Sequence, residues 1–351
     1  MTQITVIDEV AREIEATPDR SRQTFLVDPG RLAEAIGWEL KPSGLCRGDT
    51  CVPVPDTDAL RVGDQVDLVA VAGALGRPVV VDLEAGMLAM ALSSELRRQA
   101  LDDLRAPAFE LPDVDGKLHA LDEWLGRKKL LVTFSSWCGC RYDLPGWQAL
   151  HDELAPDGFT VIAVAIDNSA ADVTPWIDGI TMPVLYDPHH VLTELYAISN
   201  VPTVVWIDED NTIARPNGHA HGNDVFADFT GVESGPHLDE VRRWVRDGIV
   251  PVTPEEARQA VGDLTDDEVR ARLHFRVAAE AHRHGDRETT RRHVDRASAL
   301  APDDLTIWRA AMPLVGEDPF GDDFLARYDQ WKQRGMPYHG LAAVTRSEPA
   351  V

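Results

Sequence analysis

The chain has 351 residues, 34 of them Lys or Arg and 59 Asp or Glu, giving a formal net charge of −25 at pH 7. That charge opposes sequence-independent binding to nucleic acid or to an anionic membrane surface. No apolar run approaches the ~18 residues needed to cross a bilayer, and the 44% hydrophobic and 26% charged residues are those of a globular protein with two or three domains. The opening "MTQITVIDEVAREIEATPDR" carries acids early and lacks a basic then apolar leader pattern, so a cytoplasmic location is expected.

Residues 1–104 mix helical and strand signals, and an α+β module is expected there. "VDPGRLAEAIGWEL" reads as a short helix with Asp28 as N-cap and Pro29 at the first helical position. "QVDLVAVAGAL" and "RPVVVDLEAG" read as strands or buried apolar runs, and "SSELRRQALDDL" as a helix. A Pro-flanked joint, "LRAPAFELPD", opens a middle region, 105–250. There "FELPDVDGKLHAL" predicts a hairpin around a D-G turn. "KKLLVTFSS" and "FTVIAVAID" predict buried strands, separated by the helix "YDLPGWQALHDEL" with Pro145 as a kink or an early-turn residue. "SAADVTPWIDG" is a helix or loop, "VLTELYAI" a helix, and "VPTVVWIDEDNTIARP" a strand, turn and returning strand. "HLDEVRRWVRDG" closes the region as an amphipathic helix stopped by Gly248. Apolar strands alternating with helices imply an α/β sheet covered on both faces. Residues 251–351 are expected to be helical, with capping boxes at Thr253–Glu256 and Thr265–Glu268. One tetratricopeptide-like unit fits residues 270–303, with Gly285, Ala297 and Pro302 in place. No second copy follows, so an ordinary helical hairpin is the preferred reading. The tail "LAAVTRSEPAV" is expected to be disordered.

Four cysteines fall in two close pairs, Cys46/Cys51 and Cys138/Cys140. In a reducing compartment such pairs are more often catalytic, redox-sensing or metal-binding than structural. Cys138 follows a predicted strand and opens a predicted helix, so it should be exposed at the strand end, with its thiolate favoured by the helix N-terminus and by Arg141. A thiolate attacks disulfides, and a second thiol nearby resolves the mixed disulfide.

The middle region resembles the TlpA/ResA branch of the thioredoxin-like thiol–disulfide oxidoreductases. "WCGCRYDLP" supplies Trp137, Cys138, Cys140, Arg141, Asp143, Leu144 and Pro145, and "YAISNVPTVVWID" supplies a cis-proline loop with Val201 and Pro202. The resemblance implies a thioredoxin-like domain in which Cys138 is the nucleophile and Cys140 the resolving thiol. It implies that Trp137 lines the cysteine pocket and that Val201 and Pro202 receive the substrate as an added strand. Asp143 takes the acidic position, either as a proton relay or as a solvated helix-face carboxylate. Its partners would be a protein or small-molecule thiol or disulfide and an unidentified reductant or oxidant, with no organic cofactor.

The motif departs from the family's Cys-x-x-Cys by one residue. Regular helix or strand geometry does not make the side chains of residues i and i+2 converge, and Gly139 is expected to relieve this through backbone angles closed to other residues. The shortening tunes the redox couple or converts the site to soft-metal binding. Cys46 and Cys51, in "KPSGLCRGDTCVPVP", are an auxiliary dithiol relaying electrons, a soft-ion site, or ordinary loop thiols. A peroxiredoxin motif would need Pro and Thr where Leu131 and Ser135 stand. The histidine groups His189-His190, His219/His221 and His282/His284 are read as surface residues, and no metal is assigned. Trp147, Trp176 and Trp206 are read as core. The leading expectation is a thiol–disulfide oxidoreductase. The alternatives are a protein binding Cu(I), Hg(II) or Zn, a redox-inactive interaction scaffold, and a thiol-dependent enzyme or peroxidase acting on a small molecule.

Overall fold

Period-two alternation makes Ala11–Asp19 a strand: Ile14 and Ala16 turn inward while Glu13 and Glu15 face solvent. It pairs antiparallel with Thr2–Ile7, and these two centre a seven-stranded mixed sheet in the computed structural model, which describes residues 1–341. The expected tail falls outside the described residues from Ala342 onward. The apolar run after Gln65–Asp67 is a helix and not a strand. Asp67 explains the switch, because its carboxylate accepts from the Val69 and Ala70 amides and caps Leu68–Ala74. "RPVVVDLEAG" does supply a strand, Val79–Asp82.

The chain gathers into two units, each built from separate stretches: Met1–Arg97 with Leu264–Pro302, and Arg98–Asp263 with Asp303 onward. The helical stretch after residue 251 is thereby shared. Its hairpin Asp266–Arg283 and Arg287–Leu300, the first helix opening on the expected Thr265–Glu268 capping box, falls in the first unit. Leu305–Ala311 and Asp322–Gln333 fall in the second.

The first unit also holds a three-stranded sheet, Glu39–Lys41, Gly44–Arg47 and Thr50–Val52. Cys46 and Cys51 stand directly opposite each other in it, Cα–Cα 4.1 Å, and are joined as a disulfide. Cys46 is buried and Cys51 exposed.

The second unit carries a five-stranded sheet in the order Val184–Tyr186, Phe159–Ala165, Lys128–Phe134, Thr203–Ile207, Ile213–Gly218. The first three strands run parallel and the last two antiparallel to their neighbours. Every residue of Phe159–Ala165 is buried, as a strand covered on both faces requires. The D-G hairpin forms between Glu110–Pro112 and Leu118–Ala120. Asn211 in the later turn adopts a left-handed φ of 64°. Trp147 and Trp206 are core residues, as read, but Trp176 is half-buried and stacks against Arg141 instead.

Candidate functional site

The sheet register brings the two sequence motifs together. Lys128–Phe134 runs antiparallel to Thr203–Ile207, with Thr133 opposite Thr203, so the segment leaving the first strand meets the segment entering the second. Thr133 and Thr203 lock this junction: the Thr203 amide donates to Thr133 Oγ1, 3.2 Å, and that hydroxyl donates to the Thr203 carbonyl, 3.3 Å. The Val201–Pro202 peptide is cis. On the other side, buried Asp167 accepts from the Ser136 amide at 3.0 Å and from its hydroxyl, fixing the turn just ahead of Trp137. Burial pushes the Asp167 pKa up to about 6 against the pull of those Ser136 hydrogen bonds.

Cys138 caps a 3-10 helix, Gly139–Asp143, that runs into the α-helix Leu144–Leu154. Pro145 sits in the first turn, where its missing N–H costs nothing, so it does not kink the helix. The Cys140 amide points at Cys138 Sγ, 3.2 Å, an arrangement that favours a thiolate when the pair is reduced. The two sulfurs stand near disulfide distance, with Cα–Cα 5.2 Å, inside the usual range.

Gly139 has a different explanation from the one the sequence offered. Its φ is not in the left-handed region; a Cβ there would meet Phe226 Cε2 and Cζ at 2.9 Å. A side chain at this position would have to displace the aromatic ring that packs on it. Cys138 is likewise not exposed at a strand end: it is 5% accessible and Cys140 2%. Both face a cavity of about 310 Å³, whose far wall is Leu305, Arg309, Phe320, Phe324, Leu325 and Tyr328. The last two helices cover what the motif alone would leave open.

Val201 and Pro202 line this cavity, and Cys138 Sγ lies 3.6 Å from the Val201 carbonyl oxygen. The Val201 amide is taken by the Asn200 side chain, 2.8 Å. Trp137 is buried beside the motif. Asp143 is 1% accessible, which removes the solvated-carboxylate reading. Its Oδ2 accepts from His221 Nδ1 at 2.8 Å, and its Oδ1 accepts from the Asn223 amide at 3.3 Å.

His221 is the residue that sequence reading missed. The "GHAHG" stretch is not on the surface: His221 is buried and lines the cavity, and His219 beside it is half-buried and does the same. His219 Nδ1 donates to the Pro202 carbonyl, 3.0 Å, and burial, with the neighbouring His221 adding to it, pulls its pKa down to about 4. The glycine after His221 was the available signal. A Cβ on Gly222 would meet the Asp143 carbonyl at 2.6 Å, and one on Gly146 would meet the Gly222 carbonyl at 1.9 Å. Only two glycines let this loop press onto the helix that follows the cysteines. With Nδ1–H committed to the carboxylate, His221 Nε2 is the free acceptor, and it has no partner among the described residues.

A family model described as "AhpC/TSA family" matches residues 103–215. Thiol-disulfide oxidoreductase ResA of Oceanobacillus iheyensis is 30% identical over 120 residues, 32% of this chain and 59% of that protein. The thioredoxin-like protein YneN of Bacillus subtilis is 30% identical over 115 residues, 31% of this chain and 66% of that protein. The chain thus spans less than two thirds of the length of these curated relatives. A solved structure of a putative thiol:disulfide interchange protein DsbE from Chlorobium tepidum is 28% identical, covering 31% of this chain and 79% of that one, with a TM-score of 0.30. Residues 103–215 of this chain are a redoxin domain of the AhpC/TSA family, similar over that region to the ResA-type oxidoreductases.

Proposed function

We propose that the chain is a thiol–disulfide oxidoreductase working through Cys138 and Cys140, with His221, oriented by Asp143, as the proton carrier. The observation that carries this reading is the cavity itself. Both cysteines, the cis-Pro202 loop and the Asp143-bound histidine line one cavity.

From the disulfide state, a substrate thiol gives its proton to His221 Nε2 and attacks Cys138 Sγ. The Cys138–Cys140 bond breaks, and Cys140 leaves as a thiolate that recovers the proton. A second substrate thiolate attacks the substrate sulfur of the mixed disulfide, and Cys138 leaves and is protonated in turn. Two thiols become one disulfide, and two electrons and two protons pass to the protein. Run backwards, the same steps reduce a substrate disulfide, and a thiol reductant restores the dithiol.

Intact mass across a graded glutathione redox buffer tests the couple. The Cys46→Ser/Cys51→Ser double variant should lose two hydrogens in one transition on oxidation. Adding Cys138→Ser or Cys140→Ser should abolish that transition. Thiols that stay reduced at every potential in the double variant would overturn the proposal.

A further inference from the structure

Arg309 lines the cysteine cavity and is 7% accessible. Its Nε and Nη2 both donate to a single acceptor, the Pro319 carbonyl, at 3.1 and 3.0 Å. Nη1 makes no hydrogen bond to a described residue, and no carboxylate pairs with the guanidinium among the described residues. What surrounds the charge is aromatic: it stands 3.7 Å from the Phe324 ring centre and 5.3 Å from that of Phe320. Phe320 also carries the Arg141 guanidinium, at 4.5 Å, and Arg141 likewise has no carboxylate partner among the described residues. Two cations thus share one ring at the edge of a buried site, in a chain whose net charge is −25.

Burying a guanidinium without a counter-ion is costly, and ring faces return only part of the lost hydration. Burial draws the Arg309 pKa down to about 9, with Arg141 adding to the effect, so the group is still charged at neutral pH. A planar anion meets the unused N–H groups of the guanidinium fork in a water-poor setting, where such a contact is strongest. The remaining walls, Phe226, Phe229 and Tyr328 among them, suit an apolar ring. An added peptide strand fits poorly, because the Val201 amide it would need is held by Asn200.

We propose that Arg309 is the specificity-determining residue of this cavity, and that its substrate is a small thiol or disulfide whose apolar, ring-sized body carries a carboxylate. The inference rests on the exchange reading above, and its test separates the two.

The oxidised protein is mixed with 4-mercaptobenzoate or with 4-mercaptobenzamide, each rate being normalised to that thiol's reaction with a free aliphatic disulfide, and loss of the Cys138–Cys140 bond is followed by intact mass. The acid should outpace the amide roughly tenfold or more, the worth of one charge-assisted contact. Arg309→Gln should bring that ratio to about one by slowing the acid far more than the amide, and Arg309→Lys should restore part of it. A purely structural role would slow both thiols together. On the wild type, benzoate should slow reduction by uncharged dithiothreitol, whereas benzamide should not. This arm reads anion binding without exchange and does not depend on a variant's folding.

Equal rates for acid and amide, or no protection by benzoate, would overturn the carboxylate assignment and leave the exchange chemistry standing. An unstructured cysteine peptide reacting faster than the acid would overturn the small-molecule class. Protection by benzoate with no reduction by any thiol would sink the exchange reading while keeping the anion site.

Discussion

Asp143 and His221 are 78 positions apart in sequence, yet a 2.8 Å bond joins them, and the proposed function leaves Nε2 to move the proton. The carboxylate takes Nδ1–H, so Nε2 faces its task as an acceptor. His221→Gln should therefore slow thiol exchange about 100-fold at pH 7, the usual worth of a positioned base. The deficit should shrink as pH rises past the ordinary thiol pKa of about 8.5, where thiolate forms without help. Stopped-flow rates between pH 6 and 9.5 check this, and a deficit constant with pH would point to a packing role alone. Asp143→Asn should show the same pH-dependent recovery, because the amide no longer fixes the tautomer.

Between elements, the strand Phe159–Ala165 ends just before Asp167, whose carboxylate holds the Ser136 turn of the neighbouring strand. Its pKa rises from 3.8 in the unfolded chain to about 6 in the fold, chiefly through burial. Below about pH 4 the carboxyl is protonated in both states and its stabilising contribution is complete. Above the unfolded value the folded state still holds a proton that the unfolded chain has released. The contribution is therefore lost as pH rises through about 6. Asp167→Asn keeps an acceptor for the Ser136 amide and cannot ionise. Its stability relative to wild type should therefore increase on going from pH 4 to pH 7.5, by on the order of 2 kcal/mol. Urea midpoints at both pH values measure it, and a gap independent of pH would refute the buried ionisation.

At the scale of the whole molecule, the chain uses its cysteines in two separate units, one pair in each. We extend the proposed function to the second pair as an electron relay, which its asymmetry favours: Cys51 is exposed to an incoming thiolate while Cys46 is buried behind it. Cys46→Ser/Cys51→Ser should then cut multiple turnover at least about tenfold while leaving a single oxidation of Cys138/Cys140 intact. Unchanged turnover with a lower melting temperature would assign the pair to holding its hairpin together.

Much of the site was legible in sequence, because local chemistry specifies local structure. The buried strand before Trp137, the paired cysteines, the X-Pro loop at Val201 and Pro202 and the D-G hairpin each rest on residues adjacent in the chain. Other features depend on residues that come together only when the chain folds. Gly139 lies under the Phe226 ring, and His221 of "GHAHG" is buried where Gly146 and Gly222 let two backbones touch. The divided helical stretch also belongs to this group: periodicity marks a helix's apolar face but not the partner that covers it. By itself the sequence determined a redoxin sheet and two thiols at its strand end. Tertiary structure alone decided that those thiols face an aromatic-lined cavity with an arginine that no carboxylate pairs among the described residues, since burial and charge pairing are properties of neighbours in space.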